Sequence, residues 1–297
     1  MTDRPDILCI GAVLWDVIGR APVHMRQGSD VPGRITRLPG GVALNIAMTL
    51  RRFGLTPALL SAVGRDPEGA ELLADAERRG IVAAHVYLSD DLPTDRYMAV
   101  EGANGLIAAI ADAHSLEAAG DKILRPLADG RLGSAEAPWP GPVALDGNLT
   151  EALLAEIAAS PLFAAADLRV APASPGKAER LLALVDHPRA TLYVNLEEAG
   201  LICQREFSSS AEAALGLIAR GARRVLVTDG AGPATEATGD DLITETPPEV
   251  MVTRVTGAGD SFMAAHIAAE VEGADRATAL HRALAAAAAH VSGEIAT

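Results

Sequence analysis

Basic side chains are scarce in this chain. Of its 297 residues, 25 are Lys or Arg against 39 Asp or Glu, a net charge of −14. A surface that acidic excludes general binding to nucleic acid or to a membrane surface. An anionic small molecule stays possible, because a few backbone amides can hold a phosphate inside an acidic protein. Cysteine is scarcer still. Cys9 and Cys203 are the two present. Two scattered thiols make no disulfide framework, which points to a reducing, cytoplasmic compartment. Cys9 lies in the apolar run Ile7-Leu8-Cys9-Ile10 and reads as a buried strand residue. No apolar run reaches the roughly 18 residues of a membrane-spanning helix. The Ala-rich stretch Ala283 to Ala289 is too short, and Met1 to Asp6 lacks the basic start of a signal peptide.

Several catalytic signatures are missing too. The seven histidines show no His-Glu-x-x-His or paired-ligand spacing, so a zinc site is not expected. A Gly-x-Ser-x-Gly elbow is absent, against an α/β-hydrolase. So is a Walker Gly-Lys-Ser/Thr, against a P-loop NTPase. The first strand runs into Gly11-Ala12-Val13-Leu14-Trp15-Asp16 rather than Gly-x-Gly-x-x-Gly, against a Rossmann dehydrogenase.

What is present is a chain that can bury a core. Hydrophobic residues make up 49% and charged residues 22%, which excludes a disordered polymer. The length suits about two domains or one large α/β domain. Ile7 to Leu14 predicts a buried strand. Gly40-Gly41 opens a helix with Val42, Ala43, Ile46, Ala47 and Leu50 on one face, and Gly54 stops it. Ala58 to Val63 predicts a strand, and Asp66-Pro67 caps a helix reaching Arg79. Strands are expected at 143–145, 168–171, 192–194 and 224–228. Helices are expected at 150–159, 176–185, 208–220, 258–272 and 276–291. This alternation predicts a mostly parallel sheet covered on both faces. Two pieces interrupt it. One is Ala21 to Pro39, with the alternating Arg34-Ile35-Thr36-Arg37-Leu38. The other is Asp95 to Ala111, with an Asn104-Gly105 hairpin turn. They are expected to meet in one small β-sheet that serves as a lid.

Four segments could carry chemistry. In Val255-Thr256-Gly257-Ala258-Gly259-Asp260, small residues before a helix let amides approach an anion, and Asp260 in the first turn can accept a hydroxyl proton. The same pattern suits a glycine turn with Asp260 as a cap. Gly40, Gly41 and Asn45 free the backbone and add a donor–acceptor amide at another helix start. An ordinary turn explains them equally. Asn195 and Glu198 follow a strand and can orient a hydrated Mg²⁺, or act as plain helix N-terminal residues. Thr228, Gly230 and Gly232 follow the next strand and suit a nucleotide phosphate or ribose, or a hairpin turn. Asp16 after the first strand could bind sugar hydroxyls. Asp146 and Asn148, after a strand, are candidate ribose or base contacts, and Thr94 is a candidate lid contact.

In this order the segments resemble the ribokinase (PfkB) family of carbohydrate and nucleoside kinases, from Ile7 to about Val291. Within it they are most similar to the pseudouridine kinase branch. That likeness rests on Ser29 to Ile35, on Pro39 to Val42 with Asn45-Ile46-Ala47, on Leu59 to Gly64, on Ala109 to Asp112, and on Val255-Thr256 before the glycines. The resemblance implies a ribokinase-like three-layer α/β/α fold. It implies one kinase domain over residues 1–297, with a lid from about 17–39 and 94–111. It further implies ATP-dependent phosphorylation of the 5′-hydroxyl of pseudouridine. Asp260 would be the base and Gly257, Ala258 and Gly259 the anion hole. Asp16, Gly41 and Asn45 would hold the ribose, with Mg²⁺ bound through water by Asn195 and Glu198. A monovalent-cation (K⁺) requirement is common in this family. A lid made from two insertions leaves one apolar face exposed, so a homodimer through the lid is expected. Three positions depart from its pattern: Ala171 replaces an Asp, Gly230-Ala231-Gly232 is one residue short, and Arg254 stands where relatives carry Asp. The alternatives are a kinase for another sugar or nucleoside, such as ribose or adenosine, and a non-catalytic binding protein on the same scaffold.

Overall fold

The computed structural model describes residues 4–26, 28–253 and 256–293. Gln27, inside the first lid piece, and Arg254 and Val255 therefore lie outside the described residues. The chain enters through β1 (Ile7–Ile10), then β2 (Leu14–Arg20), β3 (Arg34–Gly40) and helix α1 (Val42–Arg52). Next come β4 (Pro57–Leu60), β5 (Ala62–Gly64), α2 (Pro67–Arg78) and β6 (Tyr87–Ser89). A hairpin of β7 (Arg96–Gly102) and β8 (Gly105–Asp112) leads to the short helices α3 (His114–Ala119) and α4 (Arg125–Ala128). Alternation resumes with β9 (Pro142–Asp146), α5 (Glu151–Ala159), β10 (Asp167–Ala171) and a 3-10 helix over Pro175–Leu184. Then follow β11 (Ala190–Asn195), α6 (Leu196–Cys203), α7 (Ser210–Ala219), β12 (Arg224–Asp229), β13 (Gly232–Thr238) and β14 (Asp241–Glu245). Helices α8 (Ala258–Val271) and α9 (Arg276–Ser292) complete the course.

The main sheet has eight strands in the order β14-β13-β12-β11-β10-β9-β1-β4. The six strands from β12 to β4 run parallel, and β13 and β14 are antiparallel at one edge. A strand buried on both faces sends alternate side chains to opposite layers. In β1, Leu8 and Ile10 join a core with residues of α3, α5, α6 and α7. Ile7 and Cys9 join the core on the other face, with α1, α2, α8 and α9. The result is the three-layer α/β/α architecture.

The two interruptions meet in a four-stranded sheet, β3-β2-β7-β8. Two expected strands are each divided. The run Ile7 to Leu14 is not one strand, because the chain breaks at Gly11. That residue has φ +149°, and a Cβ there would lie 2.2 Å from the Cβ of Asp146. Strand β2 therefore starts at Leu14 and carries Asp16 into the small sheet, opposite Tyr97 of β7. The run Ala58 to Val63 divides likewise at Ser61, whose buried hydroxyl donates to Gly11 O at 2.5 Å. The small sheet is held to α2: Trp15 Nε1 donates to Glu68 O at 3.0 Å, and Arg96 pairs with Glu68 at 3.1 Å.

A buried charge cluster fastens α8 to the sheet. Arg169 on β10 pairs with Asp167 and with Glu270 of α8, and donates to the Tyr193 hydroxyl at 3.0 Å. Arg224 on β12 reaches Glu236 of β13 at 2.7 Å and Glu270 at 2.6 Å, and Arg276 reaches Glu236 at 2.7 Å. Burial works against the Glu236 charge. His266 beside it and the Arg224 and Arg276 guanidinium groups prevail and hold it at about 2. Removing one partner of such a buried pair costs about 3 kcal/mol or more, because the remaining charge loses its compensation. Glu270→Ala is therefore expected to lower unfolding stability by about 3 kcal/mol in urea titration. A change below about 0.5 kcal/mol, the range of ordinary surface substitutions, would show that the cluster does not anchor the helix.

Candidate active site

The C-terminal ends of the parallel strands face the small sheet across a cleft of about 700 Å³. Asp16 and Tyr97 line it from the small sheet. Gly41, Val42 and Asn45 enter from the start of α1, and Thr256 to Asp260 from the start of α8. Asn195, Glu198, Thr228 and Gly230 lie along the other part of the wall. Asn195 and Thr228 are direct register partners at the ends of β11 and β12. One cleft thus gathers most of the candidate residues.

Its floor is built from two glycine-started helices. Gly41 caps α1 with φ +95°, and a Cβ there would meet Ala12 O at 2.4 Å. Gly257 caps α8 in the left-handed region, and no side chain caps that helix. The first-turn amides of α8 therefore keep their donor capacity and the positive end of the helix dipole. Nothing stands within 4 Å of a Cβ built on Gly259, so this helix end is open.

Asp260 sits in that first turn, half-buried. Its Oδ2 accepts from Asn45 Nδ2 at 2.9 Å. Burial pushes its carboxyl up to about 7; the Asn45 bond opposes the rise, and the charges of Asp146 and Asp16 add to it. Packing and the neighbouring acids thus lift it well above the ordinary carboxylate value of about 4. Burial also lifts Asp16 to about 6. Gly40 is what lets Asp16 approach, since a Cβ on Gly40 would lie 2.0 Å from Asp16 Oδ2.

Asn195 and Glu198 form a capping box for α6. Glu198 N donates to Asn195 Oδ1 and Asn195 N donates to Glu198 Oε2, both at 2.8 Å. The helix-start reading of these residues is thus realised, while both still face the cleft. Burial raises Glu198 to about 7, with Glu197 adding to the rise. No guanidinium or ammonium pairs with Glu198 among the described residues. A buried carboxylate without a cation partner fits a hydrated Mg²⁺, which keeps several waters and needs one or two carboxylates. No group of three or more His, Cys, Asp or Glu side chains that could hold a metal ion occurs among the described residues.

Other candidates lie off the cleft surface. Thr94 is 1% exposed, and its hydroxyl donates to Asp66 Oδ1 at 2.6 Å, so it secures the start of α2. Asp146 is fully buried and accepts from Ala12 N at 2.7 Å. Gly40 backs Asp16, and Gly232 lies in β13 beyond the Gly230 turn, against Asp229. Asn148 and Ala171 do line the cleft. Lys177, Tyr193 and Phe262 line it as well and were not singled out by the sequence. No motif marks them, since each reaches the cleft only through the packing of separate elements.

Fold and cleft together define a ribokinase-like α/β protein. More narrowly, the chain belongs to the pfkB family of carbohydrate kinases, whose family model matches residues 4–296. It is similar to the pseudouridine kinase of Escherichia coli (strain K12), at 31% identity over 100 residues, 34% of this chain and 32% of that protein. It is also similar to a nucleoside kinase of Methanothermobacter thermautotrophicus, at 32% identity over 97 residues, 31% of this chain and 30% of that protein. The matched stretch spans about a third of each of these relatives. The structure of Arabidopsis thaliana ribokinase complexed with ribose and ATP aligns with a TM-score of 0.75 at 19% identity, over 99% of this chain and 94% of that one.

The raised Asp260 carboxyl has a consequence for stability. An acid whose folded pKa exceeds its usual value of about 4 costs the fold nothing below that value. Its penalty grows as pH rises toward about 7 and is complete above it. Asp260→Asn is therefore expected to raise the melting temperature relative to the parent at pH 8 but not at pH 3.5. An equal effect at both values would contradict the buried, raised carboxyl.

Proposed function

We propose that this protein is an ATP-dependent kinase that phosphorylates the 5′-hydroxyl of pseudouridine. One observation carries the reading. Asp260 stands on an uncapped helix start in a cleft with Asp16, Gly41 and Asn45 to one side and Asn195, Glu198, Thr228 and Gly230 to the other. An acceptor alcohol and a triphosphate can thus meet at one carboxylate. The pseudouridine kinase relative supports the acceptor, and the ribokinase complexed with ribose and ATP supports the donor.

In the proposed reaction the acceptor 5′-oxygen attacks the γ-phosphorus. A new oxygen–phosphorus bond forms, the bond to the β-phosphate oxygen breaks, and ADP leaves. The 5′-hydroxyl proton passes to Asp260. A carboxylate lifted to about 7 is a stronger base than an ordinary one, and it accepts the proton as the new bond develops. The amides of Gly257, Ala258 and Gly259 meet the developing negative charge, and in a water-poor cleft such donors act strongly. Asn45 holds Asp260 in place, while Asp16 and the Gly41 backbone orient the ribose. Mg²⁺ held through water by Glu198 and Asn195 would supply charge neutralisation on the phosphates. The small sheet closes the cleft as a lid against water, which would otherwise compete as acceptor.

ADP release measured against pseudouridine, uridine, ribose and adenosine tests this reading. Pseudouridine is expected to give the highest kcat/KM, and Asp260→Asn to lower kcat at least a thousandfold with nucleoside binding retained. Turnover of ribose or adenosine above pseudouridine would assign another acceptor within the family. Silence across the panel would contradict the kinase reading.

The reading includes a homodimer through the lid. Ile35 of β3 is 77% exposed, and Leu106 and Ile110 of β8 are 59% and 61% exposed. Apolar side chains grouped on one sheet this way mark an interaction surface. Light scattering is expected to give twice the chain mass for the parent and a single chain mass for Leu106→Asp/Ile110→Asp. A monomeric parent would refute the dimer.

A further inference from the structure

The proposed phosphoryl transfer leaves Lys177 of the cleft without a role. Lys177 is the one cationic side chain lining the cleft among the described residues, where Asp16, Glu198 and Asp260 supply three acids. The chain builds its basic positions almost entirely from arginine; of 25 Lys and Arg, only Lys122 and Lys177 are lysine. A compact ammonium at 177 is thus an exception to the chain's own habit.

Its surroundings aim it. Lys177 Nζ donates to Asn148 Oδ1 at 2.5 Å. The Asn148 amide nitrogen donates in turn to the two Asp146 oxygens, at 3.0 and 3.1 Å. Asp146 accepts from Ala12 N at 2.7 Å, and Ala12 O is the atom against which Gly41 packs. This relay leads to the Gly41 and Asp16 side of the cleft, not to Asn195 and Thr228. Burial and the neighbouring Arg180 press the Lys177 ammonium below its usual range, so a further oxygen acceptor would be favourable there. An ammonium has three N–H donors, and Asn148 takes one. Asn148 Oδ1 accepts from Lys177 and Asn148 Nδ2 donates to Asp146, so at this point of the wall the unused donors are those of the Lys177 ammonium. A carbonyl oxygen suits those donors; an exocyclic amino group, itself a donor, does not.

We propose that Lys177, positioned by Asn148, determines acceptor specificity by donating to a carbonyl oxygen of the aglycone. It thereby selects dioxopyrimidine nucleosides over their amino analogues. This inference rests on the proposed nucleoside acceptor. Hydrogen bonds to a charged donor weigh enough that losing one shifts affinity by about tenfold to a hundredfold.

Steady-state kinetics on the full-length protein, with Lys177→Met and Lys177→Arg, test it. Lys177→Met is expected to raise KM for pseudouridine at least tenfold while leaving KM for ATP unchanged. It should also erase most of the preference for pseudouridine over pseudocytidine and pseudoisocytidine. Lys177→Arg should recover part of both. If circular dichroism shows Lys177→Met unfolded, Lys177→Gln supplies the same comparison. An unchanged pseudouridine KM in an active enzyme overturns this inference and leaves the kinase reading standing. A rise confined to the KM for ATP overturns it in favour of a phosphate contact. A parent enzyme that phosphorylates no nucleoside removes both together.

Discussion

A single hydrogen bond, from Asn45 Nδ2 to Asp260 Oδ2 at 2.9 Å, joins residues 215 apart in sequence. It ties the start of α1 to the start of α8, and the cleft exists because those two helix starts lie side by side. Each begins on a glycine with positive φ and lacks a side-chain cap. The first-turn amides of α8 therefore open on the same space as the start of α1, where Leu44 N is already taken by Ala12 O at 3.4 Å. The positive ends of the two dipoles explain how a chain of net charge −14 can offer a place to an anion.

Holding that arrangement falls to groups outside the cleft. At its far end α8 is fixed by the Arg169, Arg224 and Glu270 cluster, and on its inner face by Phe262, Met263 and Ile267 in the core. Asp146 is fully buried and serves twice. It bonds Ala12 N at the Gly11 break, and its charge helps to raise Asp260. The polar interior thus shapes the electrostatics of the cleft without lining it. A protein of this size can bear such buried charge only where each group is paired or hydrogen-bonded.

Much of this was legible in the sequence. Asp66-Pro67 announces α2, and Asp66 does accept from Gly69 N at 2.7 Å. Asn104-Gly105 announces the β7–β8 hairpin. The glycines before Asp260 announce an uncapped helix start. Each of these is local chemistry, set by residues close together in the chain. What escaped depends on tertiary packing. Thr94 reads as a lid contact until Asp66 is seen to claim its hydroxyl. Asp146 reads as a ligand contact until Gly11 folds over it. The antiparallel pair β13–β14 is short and polar, with weak strand periodicity, and β14 is registered by its pairing with β13. Lys177 carries no motif, and Asn148, its partner, is 29 residues away.

In the proposed reaction Asp260, lifted to about 7, takes the acceptor proton. The pH dependence of the single-turnover rate of phosphoryl transfer reads this most directly. Because the base must be ionised, the rate should rise with pH and reach half its plateau near 7. The same limb should persist in Glu198→Gln, which removes the other carboxyl raised to about 7. A rate already at its plateau by pH 5, or a limb that disappears in Glu198→Gln, would contradict the account.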